Sequence, residues 1–289
     1  MVFLRAMILR CGVLLLVSAG LGCQFEDGVM ASEKGQQGQD DKVEKARRAA
    51  KLAGEANESF SSGDYKTAMK EIAEASKINP DNLSLELLRG DIAFASANMT
   101  ACVDAYDQVI RMSPRLEPQL WQRGLALYYA SRYADGVKQF ETHQTVNSQD
   151  VENAVWHLLC AAQVSDVEQA RKKLIPIQGD TRVPMSQIYE MFAGRMTPAD
   201  VLAGASKTSS TIAPDSSRQQ LQRYYAHLYI GLYHEMLAQP VEAKAALLKA
   251  AEINPLGKTN FMGQVARVHL EVMKLRGESA DKQQPRLEK

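Results

Sequence analysis

The feature that most constrains this chain is a spacing of 34 residues that recurs along its N-terminal half. Pro80 and Pro114 are 34 residues apart, and so are Gly90 and Gly124. The same interval separates two sets of large apolar residues: Phe60, Phe94 and Tyr128, and Ile72, Tyr106 and Phe140. A fixed period of this length predicts repeated structural units, each burying its apolar face against its neighbours.

The residue types at the repeated positions are those of the tetratricopeptide repeat, a pair of antiparallel helices. Gly63 and Asp64 are predicted to form the turn inside the first unit. Pro80 ends that unit, because proline cannot continue a helix interior. A late copy of the pattern carries Gly231, Ala243, Ala250 and Pro255.

The period fades between residues 149 and 215, but the helical character persists. Val155, Leu158, Leu159 and Ala162 have the spacing of one apolar helix face. Thr197 and Pro198 are typical of a helix start. Residues 204–217 are small and polar, which favours a loop. Further helices are predicted over about 216–237 and about 259–275, the last covering the end of the stack.

No alternating pattern typical of strands occurs, so we predict an all-α solenoid of helical hairpins wound into a right-handed superhelix. The expected organisation is three repeat units, a degenerate helical middle with a loop, a C-terminal unit plus capping helix, and a disordered tail. These parts span residues 43–148, 149–215, 216–276 and 277–289, respectively.

Residues 1–22 have the features of a secretory signal peptide: Arg5 near the start, a short apolar core, and small residues at the end. Cys23 follows directly, and the junction resembles the lipobox of bacterial lipoproteins, in which the cysteine is acylated. Leucine usually stands three residues before that cysteine, whereas here Gly20 does and Leu21 is one place late. Cleavage without lipidation, giving a secreted or periplasmic protein, is therefore the alternative.

The segment 23–42 is polar and rich in Gln, Gly and Asp, so we expect a disordered tether. The full chain has 34 basic and 34 acidic residues, and the signal peptide contributes two of the basic ones. The mature chain is thus nearly neutral and has no basic stripe, so we expect no nucleic-acid partner.

The sequence shows no arrangement typical of catalysis. The five histidines do not occur in the His-Glu-x-x-His spacing of zinc proteases, and neither a phosphate-binding loop nor a nucleophile elbow is present. His157 and Cys160 are three apart on a predicted helix but lack a third metal ligand. We therefore predict a protein that is not an enzyme and uses no metal or cofactor, with Cys102 and Cys160 as buried free thiols.

In this repeat class, the first helix of each unit lines a concave groove. The corresponding residues here, which we predict to bind a partner, are Phe60, Leu87, Asp91, Phe94, Trp121, Leu125, Tyr128 and Tyr129. Their aromatic character favours an apolar or aromatic peptide segment as the ligand, with Trp121 as the main contact. The alternative is that the aromatic residues pack between adjacent helices.

The order of these parts resembles the NlpI-like family of tetratricopeptide-repeat lipoproteins. The resemblance rests on residues 123–129, on Trp156 and its neighbours, on the Tyr-Glu-Met-Phe-Ala-Gly stretch from Tyr189, and on residues 229–233. It implies a dimeric adaptor in the cell envelope. Gln24 directly after Cys23 favours a lipid anchor in the outer membrane, facing the periplasm, by analogy with the sorting of bacterial lipoproteins. Such an adaptor brings peptidoglycan hydrolases to a processing protease. The alternative function is assembly of an outer-membrane, pilus or secretion complex.

Overall fold

The computed structural model describes residues 28–206 and 216–283, with side chains over 39–206 and 216–277. These residues form thirteen α-helices and one 3-10 helix, and no β-strand occurs among them. The α-helices are α1 (Gly28–Ser62), α2 (Tyr65–Ile78), α3 (Leu83–Ala95), α4 (Met99–Met112), α5 (Trp121–Tyr129), α6 (Tyr133–Gln144), α7 (Val151–Val164), α8 (Val167–Lys172), α9 (Met185–Phe192), α10 (Pro198–Ser206), α11 (Ser217–Met236), α12 (Pro240–Ile253) and α13 (Phe261–Gln283). The 3-10 helix, Pro114–Gln119, precedes α5.

The predicted all-α fold of tetratricopeptide-type hairpins is confirmed. Each hairpin pairs consecutive helices: α1 with α2, α3 with α4, α5 with α6, and α11 with α12. The helices α7 to α10 form the degenerate middle, and α13 follows the last hairpin. None of the described helices combines the length and apolar character needed to cross a bilayer.

The repeated glycines are explained by a close approach of the two helices in each hairpin. A Cβ atom built on Gly124 would lie 2.5 Å from the ring of Phe140, and one on Gly90 would lie 2.7 Å from the ring of Tyr106. Real Cβ atoms do not approach other atoms so closely, so the aromatic ring of the second helix requires glycine opposite it. The recurrent glycine and the recurrent aromatic residue are therefore two sides of one contact, 16 residues apart in both units.

The turn inside each hairpin requires a left-handed backbone at one residue. Gly63 has this conformation in the first unit, with a φ of 91°. The same position is taken by Ala97, Ser131 and Ala238, with φ values of 54°, 59° and 55°. Sequence reasoning identified only the glycine, since an alanine gives no signal for a conformation that it rarely adopts.

The N-terminal part of α1 differs from the expected disordered tether. The chain divides into two units, Met1–Glu44 and Lys45–Lys289. In the first, the described residues belong to α1, which begins at Gly28 rather than near residue 43. No proline interrupts this stretch, so the helix of residues 43–62 continues into it despite Gly35 and Gly38.

The observed boundaries of the later helices agree with the predicted ones at the start of α10 and differ from them at two other points. At the start of α10, the side chain of Asp200 accepts hydrogen bonds from the backbone N–H and the hydroxyl of Thr197. The helix α10 continues through Gly204 to Ser206, so the expected loop is shorter on that side, and residues 207–215 lie outside the described part. The helix α13 continues to Gln283, into the segment expected to be a disordered tail.

Candidate functional site

The inner face of the stack, formed by the first helices of the hairpins, was predicted to be an open groove. In the structure, five of its eight predicted residues are buried: Phe60, Phe94, Leu125, Tyr128 and Tyr129. Leu87, Asp91 and Trp121 are half-buried. The aromatic column that Phe60, Phe94 and Tyr128 were expected to form along the groove is therefore not accessible to a partner in the structure.

Phe94 and Tyr129 are buried because the chain's own helix α13 lies against them, whereas Phe60 is buried within the first unit. The ring of Phe261, at the start of α13, stacks on Phe94 with 4.1 Å between centroids. It also meets the edge of Trp121 at 5.3 Å. A helix of the same chain covers an apolar face without the entropy cost of bringing in a second molecule, which favours this arrangement.

Farther along α13, His269 contributes to the same covering. The Nδ1 atom of His269 lies 3.0 Å from the hydroxyl of Tyr129, and its Nε2 atom contacts the carboxylate of Glu235. Tyr128 and Tyr129 pack edge-to-face on each other and on Trp156. The sequence located α13 correctly but suggested that it covers the end of the stack rather than its inner face.

Two of the predicted groove residues have structural roles of another kind. Phe60 belongs to a separate apolar cluster of the first unit, where it packs against Tyr65. Asp91 accepts a hydrogen bond of 2.6 Å from the hydroxyl of Tyr106, the repeated aromatic residue of α4. Burial raises the pKa of Asp91 to about 6.

A cavity of about 80 Å³ remains on the inner face beside Trp121. It lies between α5, α6, α7 and the first turn of α13. The apolar part of its wall is formed by Trp121, Leu125, Phe140, Trp156 and Met262, and the polar part by His143, Asn147, Asp150, Glu152 and Asn153. Trp121 is the half-buried member of the predicted set that contacts this space, so it is the residue best placed to meet a ligand.

An ion-pair cluster forms the acidic wall of the cavity. The guanidinium group of Arg182 donates hydrogen bonds of 2.6 Å to Glu152, Asp150 and Asp180. The hydroxyl of Tyr229 donates to the other oxygen of Glu152 at 2.9 Å. Burial, followed by the neighbouring carboxylate of Asp150, raises the pKa of Glu152 to about 7.

Sequence reasoning missed this cluster. Arg182 lies in the irregular segment between α8 and α9, and its partners Asp150 and Glu152 are 32 and 30 residues away. No local spacing reveals contacts at that separation. The available signal was Asp150 itself, which precedes α7 and accepts a hydrogen bond from the backbone N–H of Glu152, as a helix-capping residue does.

The remaining candidate residues are placed as follows. Cys102 and Cys160 are buried free thiols, as predicted. The Nε2 atom of His157, which is three residues before Cys160 in α7, lies 3.6 Å from the carboxylate of Glu141. Within residues 28–206 and 216–283, no group of three or more His, Cys, Asp or Glu side chains could hold a metal ion. Cys23, the predicted lipidation site, lies outside the described residues.

Comparison with known proteins assigns the chain to no family. No protein-family model matches the chain, and no curated protein matches it significantly. Among the solved structures that are similar to it is a tetratricopeptide repeat protein from Parabacteroides merdae. The two chains are 13% identical, the match covers 77% of this chain and 84% of the other, and the TM-score is 0.45. At this level of similarity, the functional argument depends on the residues of the chain itself.

Proposed function

We propose that this protein is a non-catalytic scaffold that binds other proteins through the inner face beside Trp121. The observation that carries the proposal is the cavity there: it has aromatic walls, it contacts the half-buried Trp121, and α13 leaves it unfilled. Partly exposed tryptophans beside a cavity are typical of positions where binding energy concentrates. The buried rings of Phe94, Tyr128 and Tyr129 position this site, and Phe94 and Tyr129 contact α13.

The mode of binding follows from what α13 leaves accessible. Because Phe261 already occupies the space against Phe94, a partner segment does not lie along the whole column. Instead, the partner inserts one side chain into the cavity and packs the adjoining chain against Trp121. This mode replaces the extended groove that the sequence suggested.

The location that we propose is the cell envelope, with the domain anchored by an acylated Cys23 and facing the periplasm. The support is the N-terminal sequence: a signal-like segment ending in small residues directly before a cysteine. Stable anchoring requires more than one acyl chain, which the lipoprotein modification supplies. By the resemblance to NlpI-like lipoproteins, the proposed partners are peptidoglycan hydrolases and a protease that processes them.

The interaction role is tested by capturing partners from cells with wild-type protein and with Trp121→Ala under mild crosslinking. Removal of a central aromatic contact is expected to weaken binding by at least about 2 kcal/mol, which is more than tenfold in affinity. Val241→Ala is the matched control, because Val241 is an apolar residue of α12 that is 76% exposed and does not line the cavity. Retention of every partner by a folded Trp121→Ala protein would contradict the proposed site.

The location is tested separately by fractionating cells that express Cys23→Ala. The variant is expected to leave the membrane fraction, and globomycin should cause the precursor of the wild-type protein to accumulate. Cys102→Ala is the control, since that thiol is buried in the fold and is expected to have no effect on fractionation. Identical fractionation of the Cys23→Ala and wild-type proteins would exclude the lipid anchor.

A further inference from the structure

Two side chains in the wall of the cavity beside Trp121 carry buried polar atoms that lack a partner. Trp156 is 1% exposed and Asn153 is 3% exposed. Among the described residues, neither the indole Nε1 of Trp156 nor the Oδ1 of Asn153 makes a hydrogen bond. A buried polar group without a partner costs free energy, so such a pair beside an open space indicates that something else completes the hydrogen bonds.

The charges around the cavity are unbalanced. Arg182 is the one cation that bonds to the carboxylates of Asp150, Glu152 and Asp180 in the described structure, so three acidic groups share a single guanidinium. Burial, and then the carboxylate of Asp150, raises the pKa of Glu152, so its ionised form is under-compensated despite the hydrogen bond from Arg182. A second positive charge beside Glu152 would stabilise the cluster, whereas an anion would destabilise it.

The apolar walls suit the same kind of group. Trp121, Phe140 and Trp156 present aromatic rings to the cavity, and an ammonium or guanidinium group is attracted to aromatic faces, most strongly to tryptophan. The Oδ1 atom of Asn153, which has no partner among the described residues, is a hydrogen-bond acceptor, and both of these cations are donors. The alkyl stem of a basic side chain would meanwhile contact apolar residues such as Leu125 and Met262.

We propose that the cavity beside Trp121 binds one positively charged side chain, a lysine or an arginine, of a partner polypeptide. The inference rests on the proposed interaction role and specifies what the partner must present. The cationic head binds between the carboxylate wall and Asn153, and the stem packs against Trp121. A backbone carbonyl of the partner, or a water molecule, accepts the hydrogen bond of the Trp156 indole N–H.

Proton release should accompany this binding. A cation beside Glu152 favours the ionised carboxylate, so affinity rises with pH through the range in which Glu152 titrates. The other ionisable groups around this carboxylate are Asp150, Asp180 and Arg182, with Tyr224, Tyr225 and Tyr229 from α11. His143 of α6 lines the same cavity, and its Nδ1 lies 2.7 Å from the carbonyl oxygen of Pro118. The pKa values of these three tyrosines are raised, so they stay neutral where Glu152 ionises.

The chain offers a direct readout, because it contains two tryptophans and both line the cavity. The intact protein, labelled with 15N-tryptophan, is titrated with n-butylammonium, butan-1-ol and butyrate while the two indole N–H signals are followed by NMR. Butylammonium is expected to shift both signals saturably, with an affinity at least about tenfold above that of butanol. Butyrate is expected to cause no shift. Butylammonium affinity should also increase between about pH 5.5 and about pH 8.

Glu152→Gln keeps the shape of the wall and removes one negative charge, so it should weaken butylammonium binding about tenfold. Glu168→Gln, on an exposed side chain of α8, is the matched control and should leave the affinity unchanged. Equal affinities for butanol and butylammonium would overturn the proposal and leave an apolar cavity. No shift with any probe would overturn it in favour of a cavity that holds water only.

The ligand titration uses wild-type protein, so it decides the proposal even if Glu152→Gln does not fold. It also separates this inference from the interaction role. Butylammonium binding together with full partner capture by Trp121→Ala would retain the cation site and reject the proposed partner surface. Loss of partners in Trp121→Ala without cation binding would retain the surface and reject the cation site.

Discussion

Replacing Gly124 by alanine should destabilise the protein, against the usual effect of this substitution in a helix. Alanine in place of glycine in a helix interior normally stabilises by about 0.8–1 kcal/mol. At Gly124, however, the new Cβ would lie 2.5 and 2.6 Å from the Cζ and Cε1 atoms of Phe140. The ring or the helix α6 must shift by several tenths of an ångström to admit it, and overpacking of this kind costs about 1–3 kcal/mol.

Gly54 supplies the matched control within the same fold. It lies in α1, and nothing comes within 4 Å of a Cβ built on it. Gly54→Ala should therefore raise the free energy of unfolding by about 0.5–1 kcal/mol. Gly124→Ala should lower it by up to about 2 kcal/mol, the overpacking cost less the propensity gain. The two substitutions are thus expected to have opposite signs.

The assay is equilibrium urea denaturation of wild type and the two variants, followed by circular dichroism. Phe140→Leu in the Gly124→Ala background provides a further check, because a smaller side chain should relieve the clash. The double variant should be more stable than the sum of the two single effects predicts. If Gly124→Ala stabilised as much as Gly54→Ala, the close approach of α5 and α6 would be refuted, and with it the explanation of the repeated glycine.

Three further outcomes follow from other parts of the structure. The pKa of Glu152 is raised from 4.5 to about 7 in the folded protein, so the folded state keeps this proton more tightly than the unfolded state does. The stability of wild type relative to Glu152→Gln should therefore fall as pH rises from about 4.5 to about 7. A rise would contradict the burial of this carboxyl group. Cys102 and Cys160 are buried, and burial raises the pKa of both thiols, so Ellman's reagent should react with them only on unfolding. In a protein with Cys11 and Cys23 replaced by alanine, rapid reaction in native buffer would contradict the burial of Cys102 and Cys160. Ala97→Gly should raise the free energy of unfolding by about 1 kcal/mol, because glycine adopts the left-handed conformation of this residue without strain. Ala101→Gly, inside α4, should lower it by a similar amount. Equal effects at the two sites would refute the turn geometry.

The fold could be predicted because each of its main signals is local or periodic. The spacing from Gly124 to Phe140 reflects one contact between two helices, and Thr197 with Pro198 indicates the start of one helix. Such signals lie within one hairpin or one turn, where sequence spacing and spatial proximity coincide.

The candidate site could be predicted only in part. Trp121 was identified as a contact residue, and it does line the cavity. The contact between Phe94 and Phe261 joins residues 167 positions apart, and no periodicity signals such a pairing. For the same reason, the sequence did not reveal that Arg182 pairs with the acidic residues at the start of α7. These contacts arise from the path of the whole solenoid, which repeat spacing does not determine.

The central claim is that α13 lies on the inner face and leaves a cavity beside Trp121. The most direct test is a double-mutant cycle with Phe94→Leu and Phe261→Leu, measured as free energies of unfolding. The stacked rings, 4.1 Å apart, predict a coupling energy of about 0.5–1.5 kcal/mol. A control cycle between Phe94 and Phe192, which packs on Tyr229 and Tyr233 instead, should give a value near zero. A coupling between Phe94 and Phe261 as small as that of the control pair would contradict the claim.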